Sequence, residues 1–320
     1  MNLYPLQFEP ILKERIWGGE KLKTFLNKPI TSSITGESWE LSAVKGDVSV
    51  VANGELKGKS LTDLIEANPN EILGTAVYTR FGKDFPLLFK YLDANQDLSI
   101  QVHPNDALAQ ERHNSFGKTE MWYIMQADDN ARIIVGFKED SNAKEYVENL
   151  ENKTLLSILD TVEVKKGDVF FLETGTVHAI GAGLVVAEIQ QTSDITYRLY
   201  DFDRVDASGN TRELHIDLAL DAINYNKVDT YKTYSNTVNE SNTVVDCKYF
   251  TTNSLPVDGT ITVAKTGETF TVYMCIEGTF EIKSNGQKNS YKKGDTVLIP
   301  AGLKSYELSG KASLLEIYIS

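Results

Sequence analysis

The clearest alternation of apolar and polar positions in the chain lies at residues 98–103. The apolar positions are Leu98, Ile100 and Val102, and the polar ones are Gln101 and His103. Because successive side chains of a β-strand point to opposite faces, this pattern predicts a half-buried strand with an amide and an imidazole on one face. An apolar run at 85–92, interrupted only by Lys90, predicts a fully buried strand just before it.

Helical patterns are few. Ser60 begins an S-x-x-D signature before apolar residues, which predicts a helix to about residue 67. Residues 141–159 carry the strongest helical pattern, with Ser141 as its cap, and 217–223 predict a short helix.

Short strands separated by turn residues account for most of the remaining chain. Segments 120–125 and 131–136 predict the two strands of a hairpin. The alternating polar positions Ser38, Glu40 and Ser42 indicate either a solvated strand face or a polar row that lines a pocket. Many short strands with few helices are typical of a β-sandwich or barrel, so the chain is predicted to be mostly β.

Part of the sequence is repeated. Residues 165–172 (KKGDVFFL) reappear as 292–299 (KKGDTVLI), and a later glycine follows at the same distance in both. Continuing the alignment places Ser305 where the first copy has His178. Turn glycines reflect backbone conformation, so the shared frame indicates two copies of one β-domain, of which only the first keeps the histidine.

The two copies predict two domains. A length of 320 residues is compatible with two domains of about 150 residues each. A polar segment at 225–246, rich in Asn, Thr, Ser and Lys, separates the copies. We place the first domain at 1–230 and the second, which lacks the histidine, at 231–320.

Charge and cysteine usage exclude several classes. A net charge of −13 argues against binding to nucleic acid or to an anionic membrane surface. The N-terminus lacks a basic segment followed by an apolar run, and no stretch approaches the roughly 18 apolar residues of a membrane span. Cys247 and Cys275 form no CxxC motif and are expected to be reduced thiols. The expected location is the cytoplasm.

The turn that ends at His178 resembles the second motif of the cupins, which are small double-sheet β-barrels. Together with Gln101, His103 and Glu120, it resembles the type I mannose-6-phosphate isomerases, which bind zinc through a glutamine, a glutamate and two histidines. The motifs that carry this resemblance lie in the family's order at 85–94, 98–106, 117–123, 175–183 and 193–204. The resemblance implies two cupin-type, jelly-roll-like β-barrel domains with a few short helices.

The resemblance also implies one Zn²⁺ per chain and an aldose–ketose isomerisation. The implied metal ligands are Gln101, His103, Glu120 and His178. Two nitrogen and two oxygen donors accept other divalent metals as well. With one carboxylate ligand, the ion keeps a charge of about +1, which suits an oxyanion. The implied reaction interconverts mannose 6-phosphate and fructose 6-phosphate through a cis-enediol or enediolate.

The remaining site residues are expected among polar groups near the motifs. The expected catalytic residues are Arg198, Lys118 and Asp194. The expected substrate-binding residues are Lys90, Ser99 and Arg204. Asp194 and Arg198 lie four residues apart, so they either share a face of the site or form a structural salt bridge. Gly117 departs from the family, because longer members often have histidine there.

Three points stay open. A non-catalytic, metal-containing sugar-phosphate sensor is the alternative function, and the departure at Gly117 favours it. A cupin dioxygenase fits less well, because Lys and Arg lie near the motifs. The small-molecule partner is expected to be a sugar phosphate, and both a monomer and a homodimer are compatible with the sequence.

Overall fold

The computed structural model describes residues 3–205 and 209–320. The helices are α1 (Lys21–Thr24), α2 (Leu61–Ala67), α3 (Pro69–Ile72), α4 (Thr75–Phe81), α5 (Asp106–His113), α6 (Ala143–Glu151), α7 (Leu155–Ile158) and α8 (Ile216–Leu220). The strands are β1 (Ile11–Gly19), β2 (Thr35–Leu41), β3 (Ala43–Val44), β4 (Asp47–Val48), β5 (Leu87–Ala94), β6 (Ile100–Val102), β7 (Glu120–Ala127), β8 (Arg132–Phe137), β9 (Leu159–Glu163), β10 (Val169–Leu172), β11 (His178–Ile180), β12 (Leu184–Gln191), β13 (Tyr197–Tyr200), β14 (Tyr231–Lys232), β15 (Asn242–Asp246), β16 (Thr251–Ala264), β17 (Thr271–Ser284), β18 (Gln287–Lys292), β19 (Thr296–Ile299) and β20 (Ser305–Tyr318). The chain is therefore mostly β, as predicted.

Two antiparallel sheets pack face to face in the N-terminal part of the chain. The larger has the order β1-β2-β5-β12-β7-β10-β14, and the smaller has the order β13-β6-β11-β8-β9. An apolar cluster that includes Trp122 and Phe170 of the larger sheet and Val135 and Ile180 of the smaller fills the space between them. This double-sheet arrangement, which is not a closed barrel, agrees with the predicted cupin-type fold.

The C-terminal strands form a third sheet with the order β15-β16-β20-β17-β18, and β19 pairs with β17. Its core is continuous with the outer face of the seven-stranded sheet, where Phe89 and Tyr91 belong to the same buried cluster as Val272 and Leu314. The C-terminal sheet therefore packs against the back of the sheet that faces the site. The division at residue 230 stays a prediction. Directly after that residue, β14 pairs with β10 and so still belongs to the seven-stranded sheet.

The repeated turn has the same structure in both copies. The backbone N–H of Lys165 donates to Oδ2 of Asp168 at 2.8 Å, and Lys292 donates to Asp295 at the same distance. The glycine inside each turn has φ of +93° and +92°, a region that other residues rarely adopt. The two turns therefore share their backbone geometry, and the duplication of a whole domain stays a prediction.

The prediction of one helix over 141–159 is wrong. The segment contains α6 and α7, separated by a turn in which Lys153 has φ of +58°. Asn142, and not Ser141, caps α6, because its Oδ1 accepts the backbone N–H of Glu145 at 3.0 Å. The cap at Ser60 is confirmed, since its hydroxyl accepts the N–H of the third residue of α2 at 3.1 Å.

The predicted hairpin is also wrong. β7 lies in the seven-stranded sheet and β8 in the five-stranded sheet, so the connection crosses from one sheet to the other. In β6, Ile100 and Val102 are buried on one face as predicted. Leu98 precedes β6 and lines a cavity between the two facing sheets, so it does not lie on the same face as Ile100 and Val102.

Neither prediction for the polar positions of β2 holds. Ser38 and Ser42 are fully buried, and Glu40 is nearly so. Glu40 accepts hydrogen bonds from Ser38 Oγ and Lys28 Nζ, both at 2.6 Å, which offsets the cost of burying its charge. The opposite face of β2, which carries Glu37, lines the cavity.

Two further observations concern the described residues. Cys247 and Cys275 are both free thiols, as expected. Within 3–205 and 209–320, no helix combines the length and apolar character needed to cross a membrane.

Candidate active site

Three ionisable side chains from the two facing sheets meet in the interior. β6 pairs with β11 so that Gln101 lies opposite His178, and His103 follows β6 directly. Glu120 begins β7 in the other sheet. One ligand atom each of His103, Glu120 and His178 lies within 4.8 Å of the others, and all three residues are buried. The structure therefore brings together three of the four predicted metal ligands and places the fourth beside them.

Both imidazoles present the same nitrogen to this cluster. His103 Nδ1 lies 2.8 Å from the carbonyl oxygen of Ile195, and His178 Nδ1 lies 2.8 Å from that of Thr176. Because a carbonyl only accepts, each Nδ1 carries the proton and each Nε2 keeps its lone pair. The two Nε2 atoms lie 3.8 Å and 3.4 Å from the Glu120 oxygens.

The donor set fits a divalent cation. Glu120 Oε2 lies 2.7 Å from the Lys118 ammonium, whereas the buried Oε1 accepts no hydrogen bond from the described residues and can serve a cation. The Gln101 amide reaches within 3.2 Å of His178 Nε2, and rotating the amide by 180° presents its oxygen at that place. Two nitrogens and two oxygens can therefore surround one ion.

Burial sets the protonation of this cluster. It lowers the pKa of His178 to about 4 and that of His103 well below its usual value, and Lys118 adds to both effects. Both imidazoles are therefore neutral at pH 7, as metal ligation requires. Burial also raises the pKa of Glu120, whereas the Lys118 ammonium, 2.7 Å from Oε2, favours the ionised carboxylate.

A cavity of about 350 Å³ opens beside the cluster. The cations that line it are Arg15, Lys90, Lys118, Arg198 and Arg212. The carboxylates that line it are Glu37, Glu188 and Asp194. In a chain of net charge −13, five cations and three carboxylates line the cavity, and Glu120 and Asp201 pair with Lys118 and Arg212 from behind its wall. The cations face the cavity directly, which favours an anionic ligand.

A buried ion pair forms one wall of the cavity. Lys90 Nζ lies 3.1 Å from Glu188 Oε1, and Trp122 Nε1 donates to Glu188 Oε2 at 3.0 Å. Burial alone would raise the pKa of Glu188, but Lys90 and Lys118 lower it below its usual value. Sequence reasoning missed Glu188. The signal that could have found it is the acidic residue within the apolar start of β12, since a buried carboxylate needs a partner and β5 carries a lysine among apolar residues.

Lys118 lies among the ligands. Its ammonium is 3.1 Å from His103 Nε2 and 4.0 Å from Glu188 Oε1. Gly117, which precedes it, packs so closely on α5 that a Cβ atom would lie 2.7 Å from the backbone nitrogen of Asp106. A histidine side chain therefore does not fit at this position without a shift of the backbone.

Arg198 lies opposite Gln101 in the pairing of β13 with β6, so its side chain starts beside the metal cluster. One Nη donates to the carbonyl of Glu213 at 2.8 Å, whereas its buried Nε has no partner among the described residues. Asp194 also lines the cavity, and the described chain contains no ion pair between it and Arg198. The structural salt bridge considered above is therefore not formed.

The predicted substrate-binding residues have different positions. Ser99 and Lys90 line the cavity, but Arg204 does not. The Arg204 guanidinium bonds to the Asp201 carboxylate at 2.5 Å and to a backbone carbonyl at 2.6 Å. Asp201 also binds Arg212 at 2.5 and 2.7 Å, and Arg212 does line the cavity. Sequence reasoning missed Arg212, because no local pattern marks it.

Comparisons with known proteins agree with this geometry. Residues 5–136 match the family model "Phosphomannose isomerase type I, catalytic domain", and residues 239–319 match "Mannose-6-phosphate isomerase, cupin domain". The chain is 40% identical to the Bacillus subtilis mannose-6-phosphate isomerase ManA over 98% of this chain and 99% of the relative. It is 36% identical to a Streptococcus mutans mannose-6-phosphate isomerase over 97% of both chains.

A solved structure is similar throughout. The crystal structure of the mannose 6-phosphate isomerase from Bacillus subtilis matches with a TM-score of 0.91 and 37% identity, covering 98% of this chain and 99% of that one. The similarity thus extends over both sheets of the site and over the C-terminal sheet.

Proposed function

The chain belongs to the type I phosphomannose isomerase family, and on that basis we propose that it interconverts mannose 6-phosphate and fructose 6-phosphate. The observation that carries the proposal is the convergence of His103, Glu120 and His178 beside a cation-rich cavity. Full-length relatives are named mannose-6-phosphate isomerase, which supports the same activity.

His103, Glu120 and His178, with Gln101 as the fourth ligand, would hold one divalent ion, for which we propose Zn²⁺. When bound, such an ion supplies Lewis-acid stabilisation of negative charge on a substrate oxygen. Neutral imidazoles with fixed tautomers and an ionised carboxylate are the states that this role requires.

Lys118 is proposed to stabilise the developing oxyanion. Burial lowers the pKa of its ammonium, but Glu120 and Glu188 more than compensate and raise it above the usual value. Lys118 therefore stays protonated and donates to oxygen more readily than it accepts a proton from carbon. Isomerisation generates negative charge on the oxygens of C1 and C2, and an ammonium held in a buried site stabilises that charge.

Asp194 is proposed to accept the proton from carbon. Three carboxylates line the cavity, and two are engaged: Glu37 bonds to Arg15 and Glu188 bonds to Lys90. Asp194 has no ion pair within the described ranges, so its lone pairs remain available to substrate. A carboxylate on the cavity wall within reach of a bound carbon acid meets the geometric requirement for a general base.

The phosphate is proposed to lie at the arginine end of the cavity. Arg198 and Arg212 both line it, and within the described ranges the Arg198 guanidinium has one hydrogen bond, to a neutral carbonyl. Ser99 is proposed to donate its hydroxyl to substrate. Lys90 balances Glu188, so its contribution to substrate binding is indirect. Arg204 is proposed to act through Arg212, with which it shares Asp201.

Metal analysis combined with a coupled isomerase assay tests the proposal. We expect about one divalent metal per chain and chelator-sensitive conversion of mannose 6-phosphate. His103→Ala and His178→Ala should lose both metal and activity. His113→Ala is the matched control, because the partner of His113 among the described residues is the Tyr197 hydroxyl, which lies outside the cluster.

Two outcomes would count against the proposal. Turnover at the normal rate by a metal-free His103→Ala or His178→Ala protein would refute a metal-dependent isomerase. Saturable binding of mannose 6-phosphate by metal-loaded protein, without interconversion, would instead support a non-catalytic sensor.

A further inference from the structure

We infer that the C-terminal part of the chain positions the active-site segment 117–120 through one hydrogen bond, from Tyr249 to Asp106. This inference rests on the proposed function, because the segment carries Lys118 and Glu120. It assigns to the C-terminal sheet a role in the geometry of a site that contains none of its side chains.

Asp106 ties together two segments that carry site residues. It is the first residue of α5, three positions after His103. Its Oδ1 accepts the backbone N–H of Gly117 at 3.0 Å and the side-chain amide of Gln191 at 2.9 Å. One carboxylate oxygen thus links the segment of His103 to the start of the segment that leads to Glu120.

Gln191 completes the support on the other side of Lys118. Its Oε1 accepts the backbone N–H of Thr119 at 2.9 Å, and its own N–H donates to the Thr119 carbonyl at 3.1 Å. The N–H of Lys118 reaches the carbonyl of Pro104 at 3.3 Å. The three backbone N–H groups from 117 to 119 thus bond in turn to Asp106, to Pro104 two residues before it, and to Gln191, which also binds Asp106.

Tyr249 fixes Asp106 from outside this network. Its hydroxyl donates to Asp106 Oδ2 at 2.7 Å. Tyr249 lies in the turn between β15 and β16, where the Cys247 N–H bonds to the Phe250 carbonyl at 3.1 Å. Phe250 is fully buried and meets the ring of Phe171 edge-on at 6.4 Å. The turn that carries the Tyr249 hydroxyl is therefore held in place by the apolar core between the C-terminal sheet and the seven-stranded sheet.

Removing that hydroxyl leaves Oδ2 with a weak partner. Lys248 Nζ is 3.7 Å away, on an exposed side chain. The Asp106 carboxylate can then rotate, and its bonds to Gly117 and Gln191 lose their fixed direction. A small displacement of the following Lys118 and Glu120 changes both metal affinity and the reacting geometry.

Tyr249→Phe removes only the hydroxyl and is the decisive variant. We expect about tenfold weaker Zn²⁺ affinity, measured by competition with a chromophoric chelator, and a kcat reduced by a similar factor with little change in KM. Lys166→Gln is the matched control. It breaks an exposed ion pair with Glu277 that also joins the two parts of the chain, and within the described ranges neither side chain bonds to Asp106, Gln191 or residues 117–120.

Unchanged zinc affinity in Tyr249→Phe, or in Asp106→Ala, which removes the carboxylate that accepts all three hydrogen bonds, would overturn the inference. So would equal losses in Tyr249→Phe and Lys166→Gln that follow the fall in Tm, because a general effect of docking would then explain both. The zinc measurement does not depend on turnover. If the normal protein binds zinc but does not isomerise sugar phosphates, the proposed function fails while the positioning role is still decided.

Discussion

Arg212 and Arg204 offer a direct test of where the substrate phosphate binds. Both guanidinium groups bond to Asp201, but only Arg212 lines the cavity. Replacing each by glutamine removes one positive charge and one partner of the same carboxylate. Because each variant removes one arginine partner of Asp201, a difference in KM between them reports which arginine lies in the cavity.

The expected size follows from the surroundings of Arg212. A hydrogen bond to a charged group contributes about 1.5–3 kcal/mol. The Arg212 side chain is 27% exposed, so the lower end applies, and about 1.5 kcal/mol corresponds to a factor of about ten in kcat/KM. The phosphate does not react, so the contact is equally strong before and during the reaction. The loss should appear in KM, with kcat nearly unchanged.

The assay is steady-state isomerisation of mannose 6-phosphate with inorganic phosphate as a competitive inhibitor. Arg212→Gln should raise KM and the phosphate inhibition constant by the same factor, whereas Arg204→Gln should change both less than threefold. The reasoning is refuted if Arg212→Gln leaves KM unchanged, or if Arg204→Gln raises it as much. Either result would place the phosphate elsewhere in the cavity.

Two predictions concern stability. Glu188→Gln removes the carboxylate that pairs with the buried Lys90 and leaves Glu37 as a more distant charge near it, which should cost about 3–5 kcal/mol and lower Tm by about 5–8 °C for a chain of this length. The Lys90→Met, Glu188→Leu double variant should lose less, and calorimetry showing a larger loss would contradict this. Burial would raise the pKa of Glu316, but Lys265 and neighbouring hydrogen bonds lower it. The ionised carboxylate therefore stabilises the fold above its unfolded pKa of about 4.3, and this contribution disappears as pH falls through the lowered folded pKa. The Tm deficit of Glu316→Gln should accordingly be largest near pH 7 and shrink below about pH 4, and a deficit independent of pH would contradict it.

Part of the proposed metal site could be predicted from the sequence because its signals are local. A period-two pattern put Gln101 and His103 on one strand, and a glycine turn marked His178. The partners of a strand are set by contacts distant along the chain, which periodicity does not report. For that reason the sequence does not reveal that β7 and β8 lie in different sheets, or that Glu188 lies opposite Lys90 on the neighbouring strand.

The same limit explains the arginines. Arg212 reaches the cavity only because the segment that carries it folds back beside β13, where the His215 N–H bonds to the carbonyl of Arg198 at 2.7 Å. Nothing in the composition of that segment distinguishes Arg212 from Arg204. The helix prediction over 141–159 failed for a local reason, since the left-handed backbone at Lys153 interrupts a pattern whose apolar spacing continues.

The groups that orient the two ligand histidines belong to the main chain. Ile195 and Thr176 contribute carbonyl oxygens, so no replacement of either side chain deletes the acceptor. A point mutation can therefore replace a histidine, but a substitution at residue 176 or 195 does not remove the carbonyl that orients its ring. Substitutions in the flanking loops should be tolerated as long as the backbone keeps its conformation. Insertions or deletions near 176 or 195 should abolish the proposed metal binding even when Gln101, His103, Glu120 and His178 are all present.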